Sequence, residues 1–147
     1  MRRIMAALVT AGCIAGAALA QEAPLVFRPT WEAEPQQADY VSLYPREALA
    51  QNISGIAVLC CWARLDRSLN CQVNSEWPSG RGFGAASVRA SERYRLTQAS
   101  YNDLHARADT PVRISMMWAG PVLTDDIRMR LATIDHETAY ACTPPTN

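Results

Sequence analysis

Between Ser54 and Glu76 the chain carries two β-branched, aromatic and apolar runs around a short polar break. Ala57, Leu59, Cys61 and Ala63 share one side of the first run by period-two alternation, and Leu69, Cys71 and Val73 share one side of the second. This predicts a β-hairpin. A turn centred on Asp66 pairs Ala63 with Leu69, Cys61 with Cys71 and Leu59 with Val73, so register and apolar face agree. From Phe83 to about Tyr94 the period becomes helical: Phe83, Ala86, Ala90 and Tyr94 recur at three- and four-residue steps, with Arg89, Glu92 and Arg93 outside. Val112, Ile114, Met116 and Trp118 then alternate with Arg113 and Ser115 as a third strand.

The connecting segments follow from turn chemistry. Pro24, Pro29 and Pro35 make residues 21–35 an extended arm, with Trp31 as its anchor on the domain. Gln36 to Leu43 suits a helical turn. Tyr44-Pro45 opens a short helix with Pro at its first position, Tyr44, Ala48 and Leu49 inward, and Asn52 as its stop. Pro78, Gly80 and Gly82 force a loop before the Phe83 helix. Residues 102–109 are polar and read as a loop, while the stretch from Thr124 to Asn147 fits a strand or a helix equally.

The first twenty residues have a basic start, an apolar run from Ile4 to Leu19 and a small-x-small site at Ala18-Leu19-Ala20, the form of a secretory signal removed before Gln21. The run is short for a bilayer, so retention as an anchor is the rival reading, with lipidation at Cys13 a third. Cleavage leaves no membrane span. Export favours disulfides over metal chemistry for Cys60, Cys61, Cys71 and Cys142. No Cys-x-x-Cys spacing occurs, and three pairings are formally open. Opposed residues in a non-hydrogen-bonded antiparallel pair lie within disulfide reach, so hairpin register favours Cys61–Cys71 and leaves Cys60, on the other face, for Cys142.

The chain has 147 residues and a formal charge of zero, about −2 once Arg2 and Arg3 are gone, and no lysine. That balance gives no support for nucleic-acid binding. The mature part suits a single domain with a real core. Catalytic constellations are missing: no Gly-x-Ser-x-Gly turn exposes a nucleophile. Gly80-Arg81-Gly82-Phe83-Gly84 lacks the Gly-Lys-Ser/Thr ending of a phosphate loop and follows a hairpin strand. Asp125-Asp126 reads as a solvated turn, His105 as a surface residue, and Asn52-Ile53-Ser54, though a glycosylation pattern, as a helix stop. No cofactor, metal site or enzyme activity is expected.

Taken in order, Tyr44-Pro45-x-x-Ala48, Ser54-Gly55, the hairpin with Cys61 and Asp66 ahead of Leu69-x-Cys71-x-Val73, then Glu76-x-Pro78-x-Gly80-x-Gly82-Phe83-Gly84-x-Ala86 and Tyr94-Arg95 resemble the TonB C-terminal-domain family over residues 31–118. The resemblance implies an α+β domain over residues 36–120, with two helices on one face of a small antiparallel sheet in the order helix, hairpin, helix, strand, followed by an extension, 121–147. It also implies a periplasmic protein partner, such as an outer-membrane TonB-dependent receptor, engaged by strand addition at the edge formed by Val112, Ile114, Met116 and Trp118. The chain departs from energy-coupling members at Val41-Ser42, where they carry Gln-Pro, and at Arg67, where Gly is usual. It also lacks a long Pro-rich linker. These departures favour a periplasmic binding module linked to TonB-type transport over a membrane-retained transducer. A small-ligand binder using Arg81–Gly84 and His105 is the remaining alternative.

Overall fold

The computed structural model describes residues 28–106, 110–137 and 142. The expected signal segment 1–20, with Cys13, and the start of the arm lie outside the described residues. In chain order the elements are β1 (Trp31–Ala33), α1 (Gln37–Leu43), α2 (Arg46–Ala50), β2 (Gly55–Ala63), β3 (Leu69–Trp77), α3 (Phe83–Ser91), β4 (Arg95–Leu96), α4 (Gln98–Ala106), β5 (Val112–Trp118) and α5 (Asp125–Glu137). The architecture is α+β: a three-stranded antiparallel sheet ordered β3-β2-β5 and a two-stranded one, β1-β4.

The hairpin has the register its pattern predicts, with Ala63 opposite Leu69, Cys61 opposite Cys71 and Leu59 opposite Val73. Arg64 N–H donates to Ser68 C=O at 2.8 Å, so Arg64–Ser68 is a hydrogen-bonded pair and alternate pairs from there are not. Cys61–Cys71 is therefore a non-hydrogen-bonded pair; its Cα atoms are 4.0 Å apart and a disulfide joins them. The turn Leu65-Asp66-Arg67 places Arg67 at φ 67°. Its side chain offsets that strain by pairing with Glu32 and donating to Leu96 C=O at 3.1 Å. Arg95 Nη1 donates to Asp66 C=O at 2.7 Å, so the small sheet clamps the hairpin tip.

Past Leu59–Val73 the register shifts, and Val58 faces Ser75. Asn74 is the extra residue of a β-bulge. A bulge re-aims the side chains beyond it. Here it turns Glu76 toward the face that carries Ala57, where Glu76 accepts from Gly80 N–H at 2.6 Å and Gly84 N–H at 2.5 Å. That carboxylate caps the first turn of α3 from outside the helix.

The main core lies between this face and α3, with Leu59, Cys61, Phe83, Ala86, Ala90 and Trp118 all within 1 % of fully buried. Gly55 lets Phe83 approach: a Cβ there would lie 2.3 Å from its ring. Leu96 and Leu104 extend the core toward α4. Trp31 packs on Tyr94 with ring centroids 4.5 Å apart, which fixes β1 as the anchor of the arm. Burial, then the neighbouring Tyr40, push the Tyr94 hydroxyl above its ordinary pKa.

Ile56, Val58 and Cys60, on the opposite face of β2, are also buried, yet stand outside that main core. α5 packs against β2 there, with Leu131 fully buried and Arg130 5.0 Å from the Trp77 ring. The Cys60–Cys142 disulfide, with Cα atoms 5.6 Å apart, ties the chain beyond α5 to the same face. The sheet thus carries helices on both faces, where one covered face was expected, because β2 is apolar on both.

Other elements correct the sequence reading locally. α2 spans five residues with Pro45 as its N-cap rather than its first helical residue, and Leu49 is 44 % exposed because so short a helix turns only Ala48 inward. Its end is a Schellman motif: Ile53 N–H donates to Ala48 C=O, Asn52 N–H to Leu49 C=O, and Asn52 takes φ 54°. α3 stops at Ser91, short of Tyr94. Residues 98–106 form α4 where the polar pattern suggested a loop from 102; Thr97 caps it, accepting from Ser100 N–H at 3.3 Å, and Ser100 and Leu104 alone are buried. Of the ambiguous stretch after Thr124, Asp125–Glu137 is helix, with Thr124 Oγ1 accepting from Ile127 N–H at 3.3 Å.

Candidate partner-binding edge

β5 ends the three-stranded sheet and pairs with β2 alone among the described strands. Since Cys61 and Leu59 turn their peptide groups away from β3, they turn them toward β5, where they face Val112 and Ile114. Backbone groups of Val112, Ile114 and Met116 therefore serve the β2 ladder. Those of the alternate residues, Met117 among them, point to the outer side.

The side chains of Val112, Ile114, Met116 and Trp118 face the core, at 1, 7, 2 and 1 % exposure. They hold the strand in place instead of touching whatever meets its edge. Trp118 does so most firmly: its indole N–H donates to the buried Ser87 hydroxyl at 2.8 Å, and its ring meets Tyr40 and Tyr44 edge-on at 5.3 and 5.8 Å. Tyr44 donates to Ile53 C=O at 2.8 Å, and Gly120 N–H donates to Ser54 Oγ at 2.9 Å, so the end of β5 is tied to the start of β2. Burial raises the Tyr44 hydroxyl pKa, with a contact to Ser54 opposing it.

Beside this end of β5 lies a groove of about 400 Å³ between α1 and the strand, floored by Tyr40, Tyr44 and Trp118 and edged by Val41 and Met117. Val41 is 71 % exposed and Met117 41 %. No charged residue is among the described lining. The sequence pattern does not mark the groove: residues 36–43 suit only a short helical turn in it, and the exposed Val41 carries no periodic signal of its own.

The remaining candidates separate. Tyr44, Pro45, Gly55, Pro78, Gly82, Phe83 and Gly84 have structural roles: Gly82 takes φ 82° before α3, Trp77–Pro78 is cis, and a Cβ on Gly84 would lie 2.7 Å from the Glu76 carboxylate. With Gly80 and Gly84 N–H groups accepted by Glu76, the Arg81–Gly84 loop holds an internal anion already. His105 sits elsewhere, on α4, lining a cavity of about 600 Å³ with the hairpin tip, so the loop and the histidine do not converge. Asp125 and Asp126 occupy the exposed first turn of α5, where negative charge complements the helix dipole. Among the described residues there is no cluster of potential metal ligands, and no helix is long and apolar enough to cross a membrane. No protein-family model matches the chain, and a search of curated proteins returns no match.

Proposed function

We propose that this chain is a periplasmic protein-binding module of the TonB C-terminal type, which takes up an extended segment of an envelope protein, such as an outer-membrane TonB-dependent receptor, as an added strand on β5. The observation that carries the reading is the position of β5. It terminates the sheet, and α5 packs on β2 across the face of the sheet, leaving β2 as the only described strand beside β5. On the outer side of β5 the Met117 peptide group offers a backbone donor and acceptor, and such groups supply affinity in strand addition. The order α2, β2–β3 hairpin, α3 and then β5, with β4 and α4 between the last two and the Tyr44-Pro45 and Glu76–Ala86 motifs at its joints, supports the family reading. The two disulfides suit an oxidising compartment.

The test must spare the β2 ladder. Proline at Ile114 would remove a donor facing β2 and unfold the strand, whereas Met117→Pro removes one on the outer side. In a pull-down from envelope extracts with the oxidised protein, Met117→Pro should abolish capture while circular dichroism and the thermal midpoint stay near those of the parent. Capture unchanged by Met117→Pro in a folded variant rejects the reading.

A further inference from the structure

The second concavity stands apart from the edge. It lies at the other end of β2, where Cys61 faces Val112, while the groove beside Met117 lies where Gly55 faces Trp118. One wall is the hairpin tip with Trp62, Arg64 and Leu65; the other is α4 with Tyr101 and His105. A volume of about 600 Å³ falls within the range of sites that enclose small molecules.

The two walls differ in chemistry. Tyr101 and His105 stand one helical turn apart and their rings stack, with planes within 10° of parallel and centroids 6.0 Å apart, so α4 presents the outer face of an aromatic stack. Leu65, 89 % exposed, brings an apolar side chain to the rim of the cavity at the tip. Two charged side chains complete the lining. Asp66 is engaged within the turn, its Oδ1 accepting from the Ser68 amide at 3.0 Å and the Ser68 hydroxyl at 2.6 Å. Arg64 is exposed, and its contact to Asn70 Oδ1 is a long 3.4 Å, which leaves most of the five guanidinium donors for other acceptors. Arg95 at the same tip, bonded to Asp66 C=O, joins Arg64 in offsetting the charge of the Asp66 carboxylate.

We propose that this cleft binds a small planar aromatic carboxylate, with the ring laid on the Tyr101–His105 surface against Leu65 and Trp62 and the carboxylate held by Arg64. Aromatic stacking supplies the affinity for a flat body. The guanidinium fork supplies the preference for a planar anion. This site is independent of strand addition, since the two share no lining residue.

Indole-3-acetate serves as the probe, titrated into the ¹⁵N-labelled, oxidised mature protein and followed by amide and indole resonances. Saturable shifts confined to Trp62, Leu65, Tyr101 and His105 are expected. Tryptophol, the neutral analogue, and the Arg64→Ala variant should each weaken binding by roughly threefold to tenfold, between the values of an exposed and a charge-assisted contact. Tyr101→Ala should weaken it also, and Met117→Pro should leave it unchanged. Each variant is accepted only if its spectrum keeps the parent's dispersion. Absent or scattered shifts at millimolar probe, or equal affinity for tryptophol, overturn the proposal.

Discussion

Glu76 shows how much of this molecule rests on single side chains whose role no local pattern announces. In sequence it is the last polar residue of a strand, and only the motif from Glu76 to Ala86 marks it out. In the structure its two oxygens each accept a backbone N–H, one from the loop and one from the second residue of α3. Among the described residues no other side chain meets those donors, and Gly84 lacks the Cβ that would displace the carboxylate. Glu76→Ala should therefore cost about 1–3 kcal/mol, the range for charged hydrogen bonds and lost helix caps. Urea unfolding checks it: a lower midpoint with an unchanged slope is expected, and an unchanged midpoint would show that water replaces the cap without penalty. Arg67 is the complementary case. A left-handed backbone favours glycine, yet Arg67 spans from the turn to Glu32 and Leu96, contacts that a glycine could not make.

At the scale of elements, the hairpin was legible because its signal is redundant. Alternation, turn position and two cysteines all require the same register, and the structure has it from Ala63 to Leu59. Legibility stops at the bulge, since an inserted residue leaves no mark on hydrophobicity when Asn74, Ser75 and Glu76 are all polar. α4 was illegible for a related reason. Only Ser100 and Leu104 are buried, so its helical period is carried by a single apolar side chain, and Thr97 as its cap was the one available cue. β1 and β4 are too short for any period to register. The bulge carries its own prediction. Deleting Asn74 would remove the bulge while leaving Ser75 opposite Val58 and Glu76 opposite Ala57, so the carboxylate stays on the face from which it meets Gly80 and Gly84. The deletion should therefore spare the cap: Glu76→Ala should cost as much in the deletion background as in the parent, so that the two losses add in urea unfolding. A combined loss no larger than that of either change alone would show that the bulge itself places the cap.

For the whole molecule, the central question is what holds two layers on one narrow sheet. β2 is the element common to both: Leu59 and Cys61 face α3, while Val58 and Cys60 face α5. The adjacent cysteines divide the same way. Cys61–Cys71 is confined to the hairpin, whose register already brings the two residues together. Cys60–Cys142 joins positions 82 apart and ties the chain beyond α5 to the centre of the sheet. On chain-entropy grounds the long link contributes about 4–5 kcal/mol and the short one about 3. The two should differ more in where they act than in how much. In a Cys60→Ser/Cys142→Ser variant the α3 layer keeps its own core, so amide exchange should quicken in α5 while β2, β3 and α3 stay protected. In Cys61→Ser/Cys71→Ser the loss should be spread over the whole domain, because the pair lies inside the core that every other element packs on. Uniform loss of protection in the first variant would mean that the two layers fold as one unit. Then α5, with Leu131 buried against the sheet, would be as integral to the domain as the hairpin itself.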